Sequence, residues 1–151
     1  GLIVMRSILV LNGPNLNLLG TRQPEVYGVV TLEMIENDCI EYANTLGLKV
    51  HCQQSNHEGT LIDIIHSAKG CHQGIVLNAG AYTHTSIALM DALASVELPC
   101  VEVHLSNIHA RESFRQVSYI SKVALGQICG FGPQGYTMAI NALASHLEET
   151  D

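Results

Sequence analysis

Basic residues are scarce in this 151-residue chain. Seven Lys and Arg stand against 14 Asp and Glu, a formal net charge of -7 with histidine neutral. Nucleic-acid phosphates call for clustered Lys and Arg, so nucleic acid is not an expected partner. Charge of either sign is thin, at 14% of residues, while 47% are apolar. A chain so poor in charge is expected to hide part of its surface between subunits. No apolar run reaches the ~20 residues that span a bilayer. Leu2-Ile3-Val4-Met5 is interrupted at once by Arg6 and Ser7, which argues against a signal peptide. Cys-x-x-Cys pairs are absent too. The five cysteines (Cys39, Cys52, Cys71, Cys100 and Cys129) are odd in number and mostly lie in apolar periodic segments. They read as small buried hydrophobes of a reducing cytoplasm, not as disulfides or metal ligands. Linkers, repeats and low-complexity stretches are also missing. One domain over residues 1–151 is expected, with Gly1 to Val4 a non-native remnant ahead of Met5.

Eight histidines are present, but only His104 and His109 are close, and they lack helical His-x-x-x-His spacing. No metal site is expected. His51, His57, His66, His72 and His146 read as surface or boundary residues. His84 and His104 differ, because each follows a run of β-formers. Three such runs end in polar clusters. Ser7 to Leu11 leads into Asn12-Gly13-Pro14-Asn15. Gly74 to Leu77 leads into Asn78-Ala79-Gly80 and Thr83-His84-Thr85-Ser86. Cys100 to Val103 leads into His104-Leu105-Ser106-Asn107.

Between these runs the periodicity changes to helical. Thr31 can cap a helix whose apolar face is Leu32, Ile35, Cys39, Ala43 and Leu46, closed by Gly47. Leu48 to Gln53 reads as a strand and Glu58 to Ala68 as a helix. A third helix is expected from about Thr85 to Ser95, and a fifth strand from Val123 to Gly130. The last helix starts near Pro133 and buries Tyr136, Ile140, Leu143 and Leu147. Alternating strands and helices predict an α/β fold. We expect a flavodoxin-like, doubly wound five-stranded parallel sheet in order 2-1-3-4-5. Ligands bind outside the carboxyl ends of such strands, at the switch point between strands one and three. The three polar clusters thus predict one shared site.

Gly130-Phe131-Gly132-Pro133-Gln134-Gly135 fits a dinucleotide-binding pattern, but no strand follows it to carry the acidic ribose partner. It reads as a tight turn. A receiver domain shares the strand order but needs carboxylates where this chain has Asn12 and Asn78. The first loop does not resemble a flavin-phosphate cradle. Arg22, Arg111 and Arg115 all follow strand ends, which suggests an anionic ligand, a carboxylate by guanidinium geometry. Glu102 and His104 are two apart on a strand and share a face, so the carboxylate can hold a proton on the imidazole. The long loop from Asn12 to Val30 carries Arg22 and Tyr27 between Gly20 and Gly28, an expected hinged lid. A free tyrosine is only ~0.1% ionised at neutral pH, so Tyr27 needs Arg22 beside it to serve as a base.

These residues resemble the type II 3-dehydroquinate dehydratases, from about Arg6 to Leu147. The likeness rests on Asn12 to Leu16, Arg22 to Gly28, Asn78 to Asp91, Glu102 to Arg115 and the Gly132 to Tyr136 turn. It implies anti elimination of water from 3-dehydroquinate through an enolate, giving 3-dehydroshikimate in the shikimate pathway, without a cofactor. It assigns Tyr27 as base, Arg22 as its activator, Asn15 as enolate stabiliser through water, and His104, backed by Glu102, as acid. Leu105 and Ser106 would bind the substrate carboxylate. Asn78, His84 and Arg115 would bind ring hydroxyls, and Arg111 would place the lid. Asp91 would reach a neighbouring subunit in a cytoplasmic homododecamer built from trimers. A lysine Schiff base is the other known route, and none of Lys49, Lys69 and Lys122 lies in a site segment. A binding module without turnover would not need an acid–base pair. A purely structural assembly protein would not need Arg and His at strand ends.

Overall fold

The computed structural model describes residues 5–21, 25 and 29–150. Five parallel strands form one sheet in the order β2-β1-β3-β4-β5. They are β1 (Ser7–Asn12), β2 (Lys49–Gln54), β3 (Gly74–Asn78), β4 (Cys100–His104) and β5 (Gly126–Cys129). Among the described residues, four further elements are α-helices that connect or follow them: α1 (Leu32–Thr45), α2 (Glu58–Ala68), α3 (Ile87–Val96) and α4 (Gln134–Glu149). This is the expected doubly wound, flavodoxin-like arrangement.

Alternation along the central strands sends their side chains to two cores. Ile8, Val10, Val76, Val101 and Val103 pack against α1 and α4, through Ile35, Cys39, Tyr136, Ile140 and Leu143. Leu9, Leu11, Ile75, Leu77 and Cys100 pack against α2 and α3, through Leu61, Ile65, Leu89 and Leu93. Both faces of the sheet are thereby covered, as a parallel sheet requires. Register brings the strand exits level. Asn12 lies beside Asn78 on one side and Gln54 on the other, while Leu77 pairs with Glu102 and His104 with Cys129.

Local signals explain the element ends. Thr31 Oγ1 accepts from Met34 N at 3.2 Å and starts α1, as the sequence suggests. Leu46, expected on its buried face, is the C-cap and is 37% exposed. The third helix starts two residues later than expected. Gly80–His84 forms a 3-10 turn, Thr85 N bonds back to Tyr82, and Ser86 Oγ caps α3 by accepting from Leu89 N. The fifth strand is shorter than expected for a similar reason. Val123 N and Ala124 N both close on Ile120 O in a tight turn, and pairing to the sheet begins only with Leu125 N on Cys100 O. Cys39 and Cys100 are buried, but Cys71 is exposed on the turn after α2, contrary to the general expectation of burial.

The glycine-rich turn after β5 uses its amides on neighbouring backbone. Gly130 N donates to His104 O at 3.3 Å and Gly132 N to Leu105 O at 3.0 Å. Both glycines have positive φ, at 90° and 63°. The turn ties the exit of β5 to that of β4. Gly13 binds the first two exits equally closely. Its N–H donates to Asn78 O at 2.7 Å, and a Cβ there would lie 2.5 Å from Ala79 O. Backbone cannot give way as a flexible side chain can. Gly13→Ala is therefore expected to cost about 1–3 kcal/mol, visible as a melting temperature several degrees lower by circular dichroism. An unchanged melting temperature would contradict the close approach.

Candidate active site

A cavity of about 300 Å³ opens at the carboxyl edge of β1, β3 and β4. All three sequence clusters contribute to it. Asn15 comes from the first, Asn78 and His84 from the second, and His104, Leu105, Ser106, Arg111 and Arg115 from the segment after β4. Asn15 has a left-handed backbone, with φ 69°, a conformation that asparagine tolerates better than most residues. Its N–H donates to Asn56 Oδ1 at 3.0 Å, and Gln54 Nε2 holds the same oxygen at 3.1 Å. Asn56 and Gln54 thus support Asn15 from the exit of β2. Neither carried a signal in the sequence beyond lying after a strand.

Glu102 does not line the cavity. It is fully buried behind His104, on the α2/α3 face of the sheet. His104 Nε2 lies 2.5 Å from Glu102 Oε2. Thr83 Oγ1 donates to Oε2 at 2.6 Å, and Gln127 Nε2 donates to Oε1 at 3.0 Å. Ser118 Oγ lies 2.9 and 2.7 Å from the two carboxylate oxygens. Four donors therefore converge on a group with about four acceptor positions. Burial by itself would raise the carboxyl pKa. The hydrogen bond and charge of His104, with the Thr83 and Ser118 hydroxyls, outweigh it and hold Glu102 below its ordinary value. A carboxylate only accepts, so the His104 proton facing it sits on Nε2. The nitrogen left for the cavity is Nδ1. A neutral His104 then has no proton on that side, and only the imidazolium can donate one from Nδ1.

His84 is oriented from the other direction. Its Nδ1 donates to Val117 O at 2.7 Å, leaving Nε2 as the free ring nitrogen. The two rings stack 6.5 Å apart at 18°. Arg111 Nη1 reaches Ser106 Oγ at 3.4 Å. Arg115 Nε lies 3.1 Å from Glu112 Oε2, and its guanidinium rests 5.2 Å from the Phe114 ring centre. Two cations and two imidazoles at one cavity suit an anion carrying hydroxyl groups.

Asn78 has its side chain turned to the opposite face. Its Nδ2 donates to Tyr136 Oη at 2.9 Å, and its Oδ1 accepts from Gly80 N at 3.1 Å. Tyr136 Oη in turn donates to Asn12 Oδ1 at 2.5 Å. Burial pushes the Tyr136 hydroxyl up, so it stays a neutral phenol. This buried bridge links the exits of β1 and β3 to α4. The sequence placed Tyr136 in the core but offered no sign of the bridge.

Asp91 is exposed on α3 and does not line this cavity. Arg22 and Tyr27, with the expected hinge at Gly28, lie outside the described residues. Among the described residues, no group of three or more His, Cys, Asp or Glu is gathered to hold a metal ion. None of their helices is long and apolar enough to cross a membrane. Thr83 was visible in its motif without a role. Ser118 and Gln127 were not visible at all, since nothing local marks them.

The Glu102 network gives stability a pH dependence. Its pKa is depressed on folding, so its contribution is complete above the ordinary value of 4.5 and is lost as pH falls through the lower folded value. Glu102→Gln is expected to cost about 1.5–3 kcal/mol at neutral pH, by denaturant titration. The gap from wild type should shrink at pH below 4.5. A gap independent of pH would contradict the ionised carboxylate.

The chain is similar to known proteins over most of its length. The family model described as dehydroquinase class II matches residues 6–144. The chain is 73% identical over 143 residues to the 3-dehydroquinate dehydratase of Ruegeria pomeroyi, covering 95% of this chain and 96% of that one. It is 59% identical to 3-dehydroquinate dehydratase 2 of Pseudomonas aeruginosa, covering 95% and 97%. The crystal structure of the type II dehydroquinase from Propionibacterium acnes is similar with a TM-score of 0.89 at 44% identity, covering 93% and 97%.

Proposed function

Because the chain belongs to the dehydroquinase class II family and is thus a hydro-lyase that dehydrates 3-dehydroquinate in the shikimate pathway, we propose the roles its residues take in that reaction. The observation that carries the reading is His104 at the cavity wall with Nε2 committed to buried Glu102. Elimination next to a ketone needs a base, an oxyanion stabiliser and an acid. Tyr27, held as tyrosinate by Arg22, takes the proton from the carbon beside the ketone. That C–H electron pair forms the enolate, whose oxygen Asn15 stabilises through a water. The enolate then expels the hydroxyl on the next carbon, anti to the lost proton. His104 imidazolium gives that hydroxyl its Nδ1 proton, and water leaves. Tyr27 ends protonated and His104 neutral, so Tyr27 must lose one proton and His104 regain one before the next turnover.

The remaining residues hold the substrate. Leu105 and Ser106 donate to its carboxylate, while Asn78, His84 and Arg115 bind ring hydroxyls. For Asn78 this leaves the second Nδ2 hydrogen, because its other positions serve Tyr136 and Gly80. Arg111 places the lid. No cofactor takes part. The enzyme is cytoplasmic and forms one domain. Its trimers assemble into a homododecamer, in which Asp91 meets a neighbour's site. Ile87, Val117 and Leu125, each at least half exposed, support buried surface between subunits.

The direct test follows ultraviolet absorbance of the conjugated enone product from 3-dehydroquinate in EDTA buffer. A rise proportional to enzyme is expected, and none from folded protein would sink the reading. Tyr27→Phe is expected to leave substrate binding largely intact and to lower kcat by at least about a hundredfold. His104→Ala should slow hydroxyl loss more than proton removal, read by solvent deuterium uptake into recovered substrate. Full turnover in either variant would remove that residue from the mechanism. Sedimentation should give a dodecamer, and a stable monomer would refute the assembly.

A further inference from the structure

We infer that residues 117–119 are a clamp that fixes the proton positions of both cavity histidines, with Ser118 as its positioning residue. The inference rests on His104 as the acid. Three consecutive residues each engage the wall opposite. Val117 O accepts from His84 Nδ1 at 2.7 Å, and Tyr119 N donates to Thr83 O at 2.9 Å. Ser118 Oγ lies 3.1 Å from Thr83 Oγ1 and within 2.9 Å of both Glu102 oxygens.

The Ser118 hydroxyl is the donor in its contact with Glu102, because a carboxylate only accepts. Its oxygen accepts from Ser121 N at 3.0 Å, so its own hydrogen is free to point at the carboxylate. Thr83 and His104 fill Oε2, and Gln127 fills one position on Oε1. Ser118 supplies the fourth donor. With every position taken by a donor the ionised form of Glu102 is favoured, and the proton between it and His104 stays on the ring. Removing the Ser118 hydroxyl leaves the carboxylate short of a donor and therefore more basic. It then competes with His104 for the proton that the imidazolium needs. The same backbone turn fixes His84 through Val117 O. One short segment thus sets His104 to present Nδ1 and His84 to present Nε2.

Ser118 is buried and forms no part of the cavity wall, so it acts through Glu102 and not on substrate. Ser118→Ala is expected to lower kcat about ten- to a hundredfold, as for loss of one charge-assisted hydrogen bond, with KM within about twofold. The loss should fall on hydroxyl loss and spare proton removal, read by solvent deuterium uptake into recovered substrate, because the acid His104 is the group affected. Ser118→Thr, which keeps the hydroxyl, should restore kcat. A kcat within about twofold of wild type, or deuterium uptake slowed as much as turnover, would overturn the clamp. Long-range proton–nitrogen NMR of the wild-type histidines reads the same claim without turnover and without a variant that must fold. The clamp requires hydrogen on Nε2 of His104 and on Nδ1 of His84, and the opposite placement on either ring would refute it. Inactive wild-type enzyme with these two ring states would count against the dehydratase reading and leave the clamp standing.

Discussion

A carboxylate with no access to water sets the terms for this site. Glu102 sits in the sheet, and an isolated charge there would be prohibitively costly. Every element that meets it must bring a donor. Thr83 comes from the turn after β3, Ser118 from the connection between β4 and β5, Gln127 from β5 and His104 from β4 itself. Satisfying one charge therefore draws together three separate parts of the chain. The same contacts decide which nitrogen of His104 faces the cavity, so the requirement of burial becomes a requirement on chemistry.

The two faces of the sheet divide the labour. On the α1/α4 face, Asn12, Asn78 and Tyr136 form a neutral buried bridge that holds two strand exits together. On the α2/α3 face, the exits carry ionisable groups. The alternation of a strand separates these roles by one residue. Val101 and Val103 enter one core while Glu102 and His104 enter the other environment. Glycines then permit the exits to approach each other. Gly13 lies against Ala79, where a side chain would collide, and Gly130 lies tightly against Asn107.

Much of the fold was legible because its signals are local. Thr31 and Gly47 bound α1 as their chemistry suggests, and apolar alternation locates the central strands. Errors fell where a tight turn competes with regular structure. The 3-10 turns at Gly80–His84 and Ile120–Lys122 shortened α3 and β5 by bonding backbone groups that a longer element would use. Among site residues, those in the clusters after β1, β3 and β4 could be named from sequence. Ser118, Gln127 and Asn56 could not, because each acts on a residue 16 to 41 positions away.

By itself, the sequence determined the alternation of strands and helices, the shared face of Glu102 and His104, and the polar character of three strand exits. These follow from periodicities of two and 3.6 residues and from short polar clusters, which need no long-range information. Only the tertiary structure decided the ring nitrogens. Whether His104 presents Nδ1 or Nε2, and His84 the reverse, depends on acceptors from distant segments, Glu102 in one case and Val117 O in the other. The residue types allow either tautomer. The folded chain selects one, because a carboxylate and a carbonyl can only accept.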